Sequence, residues 1–198
     1  LLFICSPNNP TSNNMNRSDV EGLLNNFPGI IIIDEAYINY ARQKTFIQEL
    51  TEYPNLVVLQ TLSKAWGLAG LRLGMAFAGQ PVIQYMNKIK YPYNINTATQ
   101  QLVMKALDNI SIVNEWTQLT VREREKLKED LLLLSFTEKV YPSDANFILV
   151  KMKSARKIYE YLSRQGIIVR DRSKVILCDD CLRITIGTPG ENQLLFES

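Results

Sequence analysis

The stretch "GIIIID", residues 29–34, constrains the fold most, because four consecutive isoleucines lead directly into an aspartate. β-Branched residues favour strands, and an unbroken apolar run indicates a strand buried on both faces, as in a parallel sheet covered by helices. Three more apolar runs indicate neighbouring strands: "LLFIC", "NLVVLQTLSK" and "LRLGMAFAG". Between the first two strands, "SDVEGLLNNF" has helical spacing, with Ser18 or Asp19 as its expected cap. The alternation predicts an α/β layer with a mostly parallel sheet.

The pattern changes near residue 100, where two helical segments are followed by short strands and helices in mixed order. We therefore expect residues 1–108 to be part of a large domain and residues 109–198 to form a smaller α+β domain. The chain opens inside an apolar run without a methionine and stops in what reads as the start of a helix. These ends are expected of a fragment that lacks an upstream part and is truncated at its C-terminus.

The composition excludes several kinds of chemistry. The chain has no histidine, so Ser-His-Asp and Cys-His catalysis and histidine-ligated metals are excluded, and proton transfer is left to carboxylates, tyrosine or lysine. Cys178 and Cys181 have CxxC spacing but lack the second ligand pair that a zinc site needs, so no metal is predicted. There is no nucleic-acid motif and no apolar run of about 18 residues, so neither nucleic acid nor a membrane is expected as a partner. A reduced, cytoplasmic protein is expected.

Polar residues that can take part in catalysis or ligand binding follow three consecutive predicted strands. Asn9 follows the first, Asp34 and Tyr37 the second, and Lys64 the third. Alone, Asp34 would be read as a helix cap or a surface carboxylate. Because functional groups gather beyond the carboxyl ends of strands in open α/β sheets, we expect all four residues in one region.

The set suits pyridoxal 5'-phosphate. Its aldehyde forms a Schiff base with a lysine, and its ring nitrogen needs an acidic partner to stay protonated. Its phenolic oxygen accepts from an amide or a phenol, and its phosphate binds hydroxyls and a cation. Arg72, eight residues after Lys64, also disfavours a protonated lysine nearby.

Four motifs in order, "SPNNPTS", "DEAY", "TLSKAWGLAGLRLG" and "LRITIGTP", resemble the fold-type-I, pyridoxal-phosphate-dependent aminotransferases. Within that family, these motifs and "YPYNIN" are most similar to the histidinol-phosphate aminotransferases. The resemblance implies a three-layer fold of the pyridoxal-phosphate-dependent transferase type, here a partial large domain with a smaller α+β domain. It also implies a homodimer, with "KYPYNINTATQQ" near the partner subunit.

The resemblance implies roles for individual residues. Lys64 resembles the Schiff-base lysine and general acid/base, and Asp34 the partner of the ring nitrogen. Asn9 and Tyr37 resemble the residues that donate to the phenolic oxygen. The phosphate-binding residues of the family are matched by Thr61, Ser63 and Arg72. Arg183 resembles the arginine that binds the substrate's acidic group. Alone, Arg183 would be read as a strand-edge surface charge.

The chain departs from the family pattern at Ser12, where the family usually has glycine. No part of the chain resembles the family's upstream half, which supplies a stacking aromatic and a glycine-containing phosphate loop. The resemblance also implies a cis peptide bond between Asn9 and Pro10, a geometry found in about 5–6% of X–Pro bonds.

The implied function is transamination of small molecules, with histidinol phosphate and 2-oxoglutarate as the pair, in histidine biosynthesis. Two alternatives stay open. One is a related pyridoxal-phosphate-dependent decarboxylase of a phosphorylated amino acid, and the other is a non-catalytic aminotransferase-like binding module.

Overall fold

The isoleucine run forms the second strand of a four-stranded sheet. The computed structural model describes residues 1–198, and the strands of this sheet lie in sequence order: β1 (Leu2–Cys5), β2 (Ile31–Asp34), β3 (Leu56–Thr61) and β4 (Gly74–Ala78). Strands β1, β2 and β3 are parallel, whereas β4 is antiparallel to β3. The predicted α/β layer with a mostly parallel sheet is confirmed.

The two faces of this sheet differ in burial. Ile31 and Ile33 are fully buried against a core that includes Val20 and Phe46, whereas Ile30 and Ile32 are only half-buried. Phe3 pairs with Ile32 and is 68% exposed. The expectation of burial on both faces is therefore wrong for this chain, because the packed core covers only the face of Ile31 and Ile33.

Helix α1 (Arg17–Asn26) begins two residues earlier than a cap at Ser18 would allow, and three residues earlier than a cap at Asp19 would allow. The cap is Asn16, whose side-chain oxygen accepts a hydrogen bond from the Ser18 backbone N–H at 3.1 Å. The prediction of Ser18 or Asp19 was wrong because both lie inside the first turn. Asparagine is as favourable a cap as serine or aspartate, so the choice is set by where the chain turns.

The other elements of the N-terminal half are two helices and three short 3-10 helices. They are α2 (Gln80–Ile89), α3 (Thr97–Leu107), and the 3-10 helices Ile38–Tyr40, Phe46–Glu49 and Ala69–Leu71.

The C-terminal half contains an antiparallel sheet in the order β5-β6-β8-β7, as expected of an α+β domain. Its strands are β5 (Thr137–Val140), β6 (Phe147–Met152), β7 (Arg170–Asp171) and β8 (Cys181–Thr185), and its helices are α4 (Ile110–Leu132), α5 (Ala155–Arg164) and α6 (Pro189–Glu197). One face of the sheet, with Ile148 and Ile184, packs on Leu127 of α4 in a buried apolar core.

The chain divides into two compact units. The first comprises residues 1–7 and 14–116, and the second residues 8–13 and 117–198. The loop 8–13 belongs to the second unit, where the Asp144 backbone N–H donates to the Ser12 carbonyl at 2.7 Å and Ser12 Oγ donates to the Pro142 carbonyl at 3.2 Å. A domain boundary between residues 108 and 109 stays a prediction. None of the helices combines the length and the apolar character that crossing a membrane requires.

Candidate active site

The carboxyl ends of β1, β2 and β3 lie side by side at one edge of the first sheet. Asp34 is the last residue of β2, in register with Cys5 of β1 and Leu59 of β3. Its Oδ1 accepts a hydrogen bond from the Ala36 backbone N–H at 2.9 Å, which fixes the carboxylate over the turn after the strand. A cleft of about 410 Å³ opens here; it is lined by Asp34, Ala36, Leu59, Gln60, Thr61, Gly74, Met75 and Ala76.

Lys64 and Tyr37 meet within the first unit. The Lys64 ammonium lies 5.1 Å from the centre of the Tyr37 ring, within the range of a cation–π contact. Tyr37 is buried and Lys64 is exposed. The structure therefore places an exposed amine against a buried phenol ring.

Tyr40 lies next to Tyr37, and sequence reasoning assigned it no role. It is buried, three residues further along, and its backbone N–H donates to the Tyr37 carbonyl at 3.1 Å. Burial, with a smaller contribution from Tyr37, raises the pKa of Tyr40 to about 12, so this phenol stays neutral well above physiological pH. The signal in the sequence was the i, i+3 spacing, which stacks side chains in a 3-10 turn.

Thr61 and Ser63 bring two hydroxyls together after β3. Their hydroxyl oxygens are 2.9 Å apart, and the Ser63 backbone N–H donates to Thr61 Oγ1 at 3.0 Å. Arg72 lies in the left-handed backbone region at φ 54°, and its guanidinium makes one hydrogen bond, from Nη1 to the Ala69 carbonyl at 3.1 Å. Its side chain is exposed, so the other N–H groups are available to an anion.

Asn9 and Arg183 form a contact within the second unit. Arg183 Nη1 donates to Asn9 Oδ1 at 2.9 Å, across 174 residues of sequence, and the guanidinium also lies 5.0 Å from the centre of the Phe147 ring. Arg183 is on β8, which is paired on both sides, so the reading of a strand-edge charge does not apply. Because an amide has separate donor and acceptor atoms, the bond to Oδ1 leaves the Asn9 NH₂ free to donate.

Arg170 is a further cation that sequence reasoning did not single out. It lies directly opposite Arg183 in the antiparallel β7–β8 pair and is exposed. Residues directly opposite in such a pair share a face of the sheet, so two guanidinium groups lie on one face. A strand of two residues leaves no recognisable pattern in the sequence, so only the pairing register shows that Arg170 lies opposite Arg183.

Glu35 is also part of this region, although only Asp34 and Tyr37 of "DEAY" were expected to act. It is 1% exposed and accepts hydrogen bonds from Thr45, Phe46 and Gln60. A buried glutamate would have been found from the sequence only by knowing that the segment 45–46 folds back on the end of β2.

The three cysteines form no disulfide, and two of them are buried and unreactive. Cys178 and Cys181 are buried beside Leu149, and burial, together with the neighbouring Cys178, raises the pKa of Cys181 to about 11. A thiol that stays protonated is a poor nucleophile and a poor metal ligand.

The structure thus brings the expected residues together in two groups. Tyr37 and Lys64 are in contact, as are Thr61 and Ser63, and Asp34 and Thr61 line one cleft. Asn9 and Arg183 form the second group. The cis bond implied for Asn9–Pro10 is present, and Ser6–Pro7 is cis as well. The roles of these residues stay predictions.

Comparison with known proteins gives relatives that are aminotransferases or structurally similar enzymes. The family described as aminotransferase class I and II matches residues 1–198. A histidinol-phosphate aminotransferase from Cytophaga hutchinsonii is 50% identical over 197 residues, which are 100% of this chain and 57% of that relative. The chain therefore spans 57% of the length of this curated relative.

Two solved structures extend the comparison. The histidinol-phosphate aminotransferase from Sinorhizobium meliloti in complex with pyridoxal-5'-phosphate matches with a TM-score of 0.88 and 26% identity, over 99% of this chain and 55% of that one. A decarboxylase from Sulfurospirillum multivorans matches with a TM-score of 0.86 and 28% identity, over 98% of this chain and 59% of that one. With a family match over its full length and a relative at 50% identity, the chain belongs to the class I and II aminotransferases.

Proposed function

We propose that the protein carrying this chain is a pyridoxal 5'-phosphate-dependent transaminase that exchanges an amino group between histidinol phosphate and 2-oxoglutarate, in histidine biosynthesis. The observation that carries the proposal is the Lys64–Tyr37 contact, beside the strand end that bears Asp34. The 50% identity to a histidinol-phosphate aminotransferase supports the choice of substrate.

The residues of the first unit fit this cofactor. Asp34 offers a carboxylate to a ring nitrogen, and its Oδ2 is not engaged by the backbone contact that holds Oδ1. Thr61, Ser63 and Arg72 offer hydroxyls and N–H groups suited to a phosphate. When bound, pyridoxal 5'-phosphate supplies an electron sink that stabilises negative charge on the substrate carbon.

Lys64 is the residue that would bond to the cofactor and carry a proton. An unprotonated Nζ is the nucleophile, and once released the same amine can hold the proton taken from the substrate. The face of the Tyr37 ring attracts the ammonium form, so Tyr37 helps to keep Nζ in place while it carries that proton.

Arg183 would bind the acidic group of the substrate. Its bond to Asn9 and its position against Phe147 fix the guanidinium plane before a substrate arrives. A planar fork of N–H groups accepts a carboxylate or a phosphate in two-point geometry, which suits the two different substrates of the exchange. The opposed Arg170 adds positive charge on the same face.

A decarboxylase is the second candidate, favoured by the structural match to the decarboxylase from Sulfurospirillum multivorans. Such an enzyme would use the same cofactor residues and release carbon dioxide instead of passing on the amino group. A third possibility, a binding module without catalysis, requires that Lys64 serve no chemical purpose.

We further propose that the protein is cytoplasmic and forms a homodimer. Tyr91 and Tyr93, in the segment after α2, are 84% and 98% exposed, and aromatic residues are enriched at protein interfaces. A mass measured by light scattering on the full-length protein at micromolar concentration tests this: we expect that of a dimer, and a fully active monomer would contradict it.

The test of the function uses the full-length protein incubated with pyridoxal 5'-phosphate, histidinol phosphate and 2-oxoglutarate. We expect glutamate to form, and borohydride reduction followed by mass spectrometry to place the pyridoxyl group on Lys64. Carbon dioxide release from a phosphorylated amino acid without glutamate formation would favour the decarboxylase. Cofactor bound to another lysine would overturn the assignment of Lys64, and absence of both reactions would favour the binding module.

A further inference from the structure

Glu35 is a buried acidic residue to which the proposed chemistry gives no part. It follows Asp34 directly, is 1% exposed and forms no ion pair. Burying a carboxylate without a cation is costly unless hydrogen bonds replace the lost water. Its position next to Asp34 therefore calls for a physical explanation.

Three donors compensate the buried carboxylate. Oε1 accepts from the Phe46 backbone N–H at 2.7 Å, and Oε2 accepts from Thr45 Oγ1 at 2.5 Å and from Gln60 Nε2 at 2.9 Å. All three partners are donors, which suits an ionised carboxylate, since that group only accepts. Hydrogen bonds of this charge-assisted kind are among the stronger ones in proteins.

The contact with Gln60 joins two strand ends that carry cofactor residues. The Glu35 backbone N–H donates to the Leu59 carbonyl at 2.8 Å, so the β2–β3 ladder continues past Asp34. Side chains alternate along a strand, so Asp34 and Glu35 point to opposite faces, as do Gln60 and Thr61. The hydrogen bond between Glu35 and Gln60 on one face of the sheet thus fixes the distance between Asp34 and Thr61 on the other face.

We propose that Glu35 is a positioning residue for the cofactor site, acting through Gln60 to hold Asp34 and Thr61 at a fixed separation. The inference rests on the proposed function, because it concerns the groups that would hold the two ends of pyridoxal 5'-phosphate. The bond to the Phe46 backbone fixes the segment 45–46. Thr45 Oγ1 donates to Glu35 and also accepts from Gln60 Nε2 at 3.2 Å, so Thr45 is part of the link between the strands.

The test measures the Kd of pyridoxal 5'-phosphate and the Tm of the full-length protein for Glu35→Met, Gln60→Met and the double variant. Each single change removes the link between the strands, and we expect each to weaken binding by about tenfold, the value of one charged hydrogen bond. The double variant should bind no more weakly than Glu35→Met alone, because the two residues act through one contact.

Asn55→Ala, at the opposite end of β3, is the matched control. It removes the hydrogen bonds that Asn55 Nδ2 donates to the Leu24 and Gly29 carbonyls but leaves the Glu35–Gln60 link, so it should lower the Tm while the Kd stays within about twofold. If Glu35→Met does not fold, Gln60→Met and Asn55→Ala still decide the matter, because only Gln60→Met cuts the link between the strands.

A purely structural role would lower the Tm in all variants without separating Gln60→Met from Asn55→Ala in Kd, and that result would overturn the proposal. Additive losses in the double variant would also overturn it, since they would mean that Gln60 acts directly in the cleft. If the unaltered protein binds no pyridoxal 5'-phosphate, the proposed function itself fails. Tight binding by both the unaltered protein and the variants refutes only the role of Glu35.

Discussion

The two groups of candidate residues are held in different ways. In the first unit, Asp34, Thr61 and Arg72 each share a hydrogen bond with a group two or three residues away. In the second unit, Arg183 is oriented by Asn9 from the far end of the sequence. The proposed cofactor side therefore combines local turns with contacts between neighbouring strands, such as Glu35–Gln60, 25 residues apart. The proposed substrate side depends on a contact across 174 residues of sequence. This difference predicts how each side fails when a residue is changed.

The largest effect is expected from Lys64→Ala in the full-length protein. Loss of the amine removes both the covalent attachment and the proton carrier, so kcat should fall by about 10⁴-fold. Since Lys64 is exposed, the free energy of unfolding should change by no more than about 0.5 kcal/mol. Lys44→Ala, at another exposed lysine of the first unit, should retain full activity. Comparable losses in the two variants would refute the special role of Lys64.

Asp34 should show the next largest effect, with a clear order between two substitutions. Asp34→Asn keeps the hydrogen bond to Ala36 but removes the charge that keeps a ring nitrogen protonated, and we expect a loss of about 10²-fold in kcat. Asp34→Glu keeps the charge and should lose less. Steady-state rates of the two variants decide the order, and an Asn variant as fast as the unaltered protein would exclude an electrostatic role.

On the substrate side, Asn9→Ala and Arg183→Lys should each raise KM for 2-oxoglutarate by about tenfold, because the guanidinium loses its orientation or its planar fork. Their effects should not add, and a double-mutant cycle should give a coupling of about 1 kcal/mol. In contrast, the effects of Arg72→Lys and Asn9→Ala on KM should be additive. Additivity of the first pair would show that the bond between Asn9 and Arg183 does not organise substrate binding.

The smallest effect concerns stability at alkaline pH. Burial raises the pKa of Tyr40 to about 12, above its ordinary value of 10.0, so its neutral form stabilises the fold below pH 10. That contribution is lost as the pH rises from 10 to about 12, because the unfolded chain then ionises more readily. Tyr40→Phe should lose less stability over this window, as measured by denaturant unfolding at each pH. If the free energy of unfolding falls equally steeply with pH in the two proteins, Tyr40 lies in a solvated site.

The same difference decides what the sequence could predict. The strands of the first sheet follow from apolar runs, and the grouping of Lys64 with Thr61 and Ser63 follows from their closeness in sequence. Turns were less predictable: Asn16, Ser18 and Asp19 are all good caps, and local propensity does not choose among them.

Contacts over long separations were beyond prediction from spacing. Asn9 and Arg183 were each expected to act, but their bond depends on where loop 8–13 folds. Glu35 was given no role, because its burial depends on segment 45–46 and Gln60. Arg170 was missed because its pairing with Arg183 needs the register of a two-residue strand.

The loop 8–13 has a consequence for how the chain is made. Ser12 and Pro142, joined by a hydrogen bond, are 130 residues apart, so during synthesis the loop leaves the ribosome long before its partner segment exists. At about 5–20 residues per second, the wait is on the order of ten seconds. Until then the loop and Asn9 have no docking surface, and the second unit cannot be completed by any single contiguous stretch of the gene. Its last native contacts must therefore form late, after most of the chain has emerged.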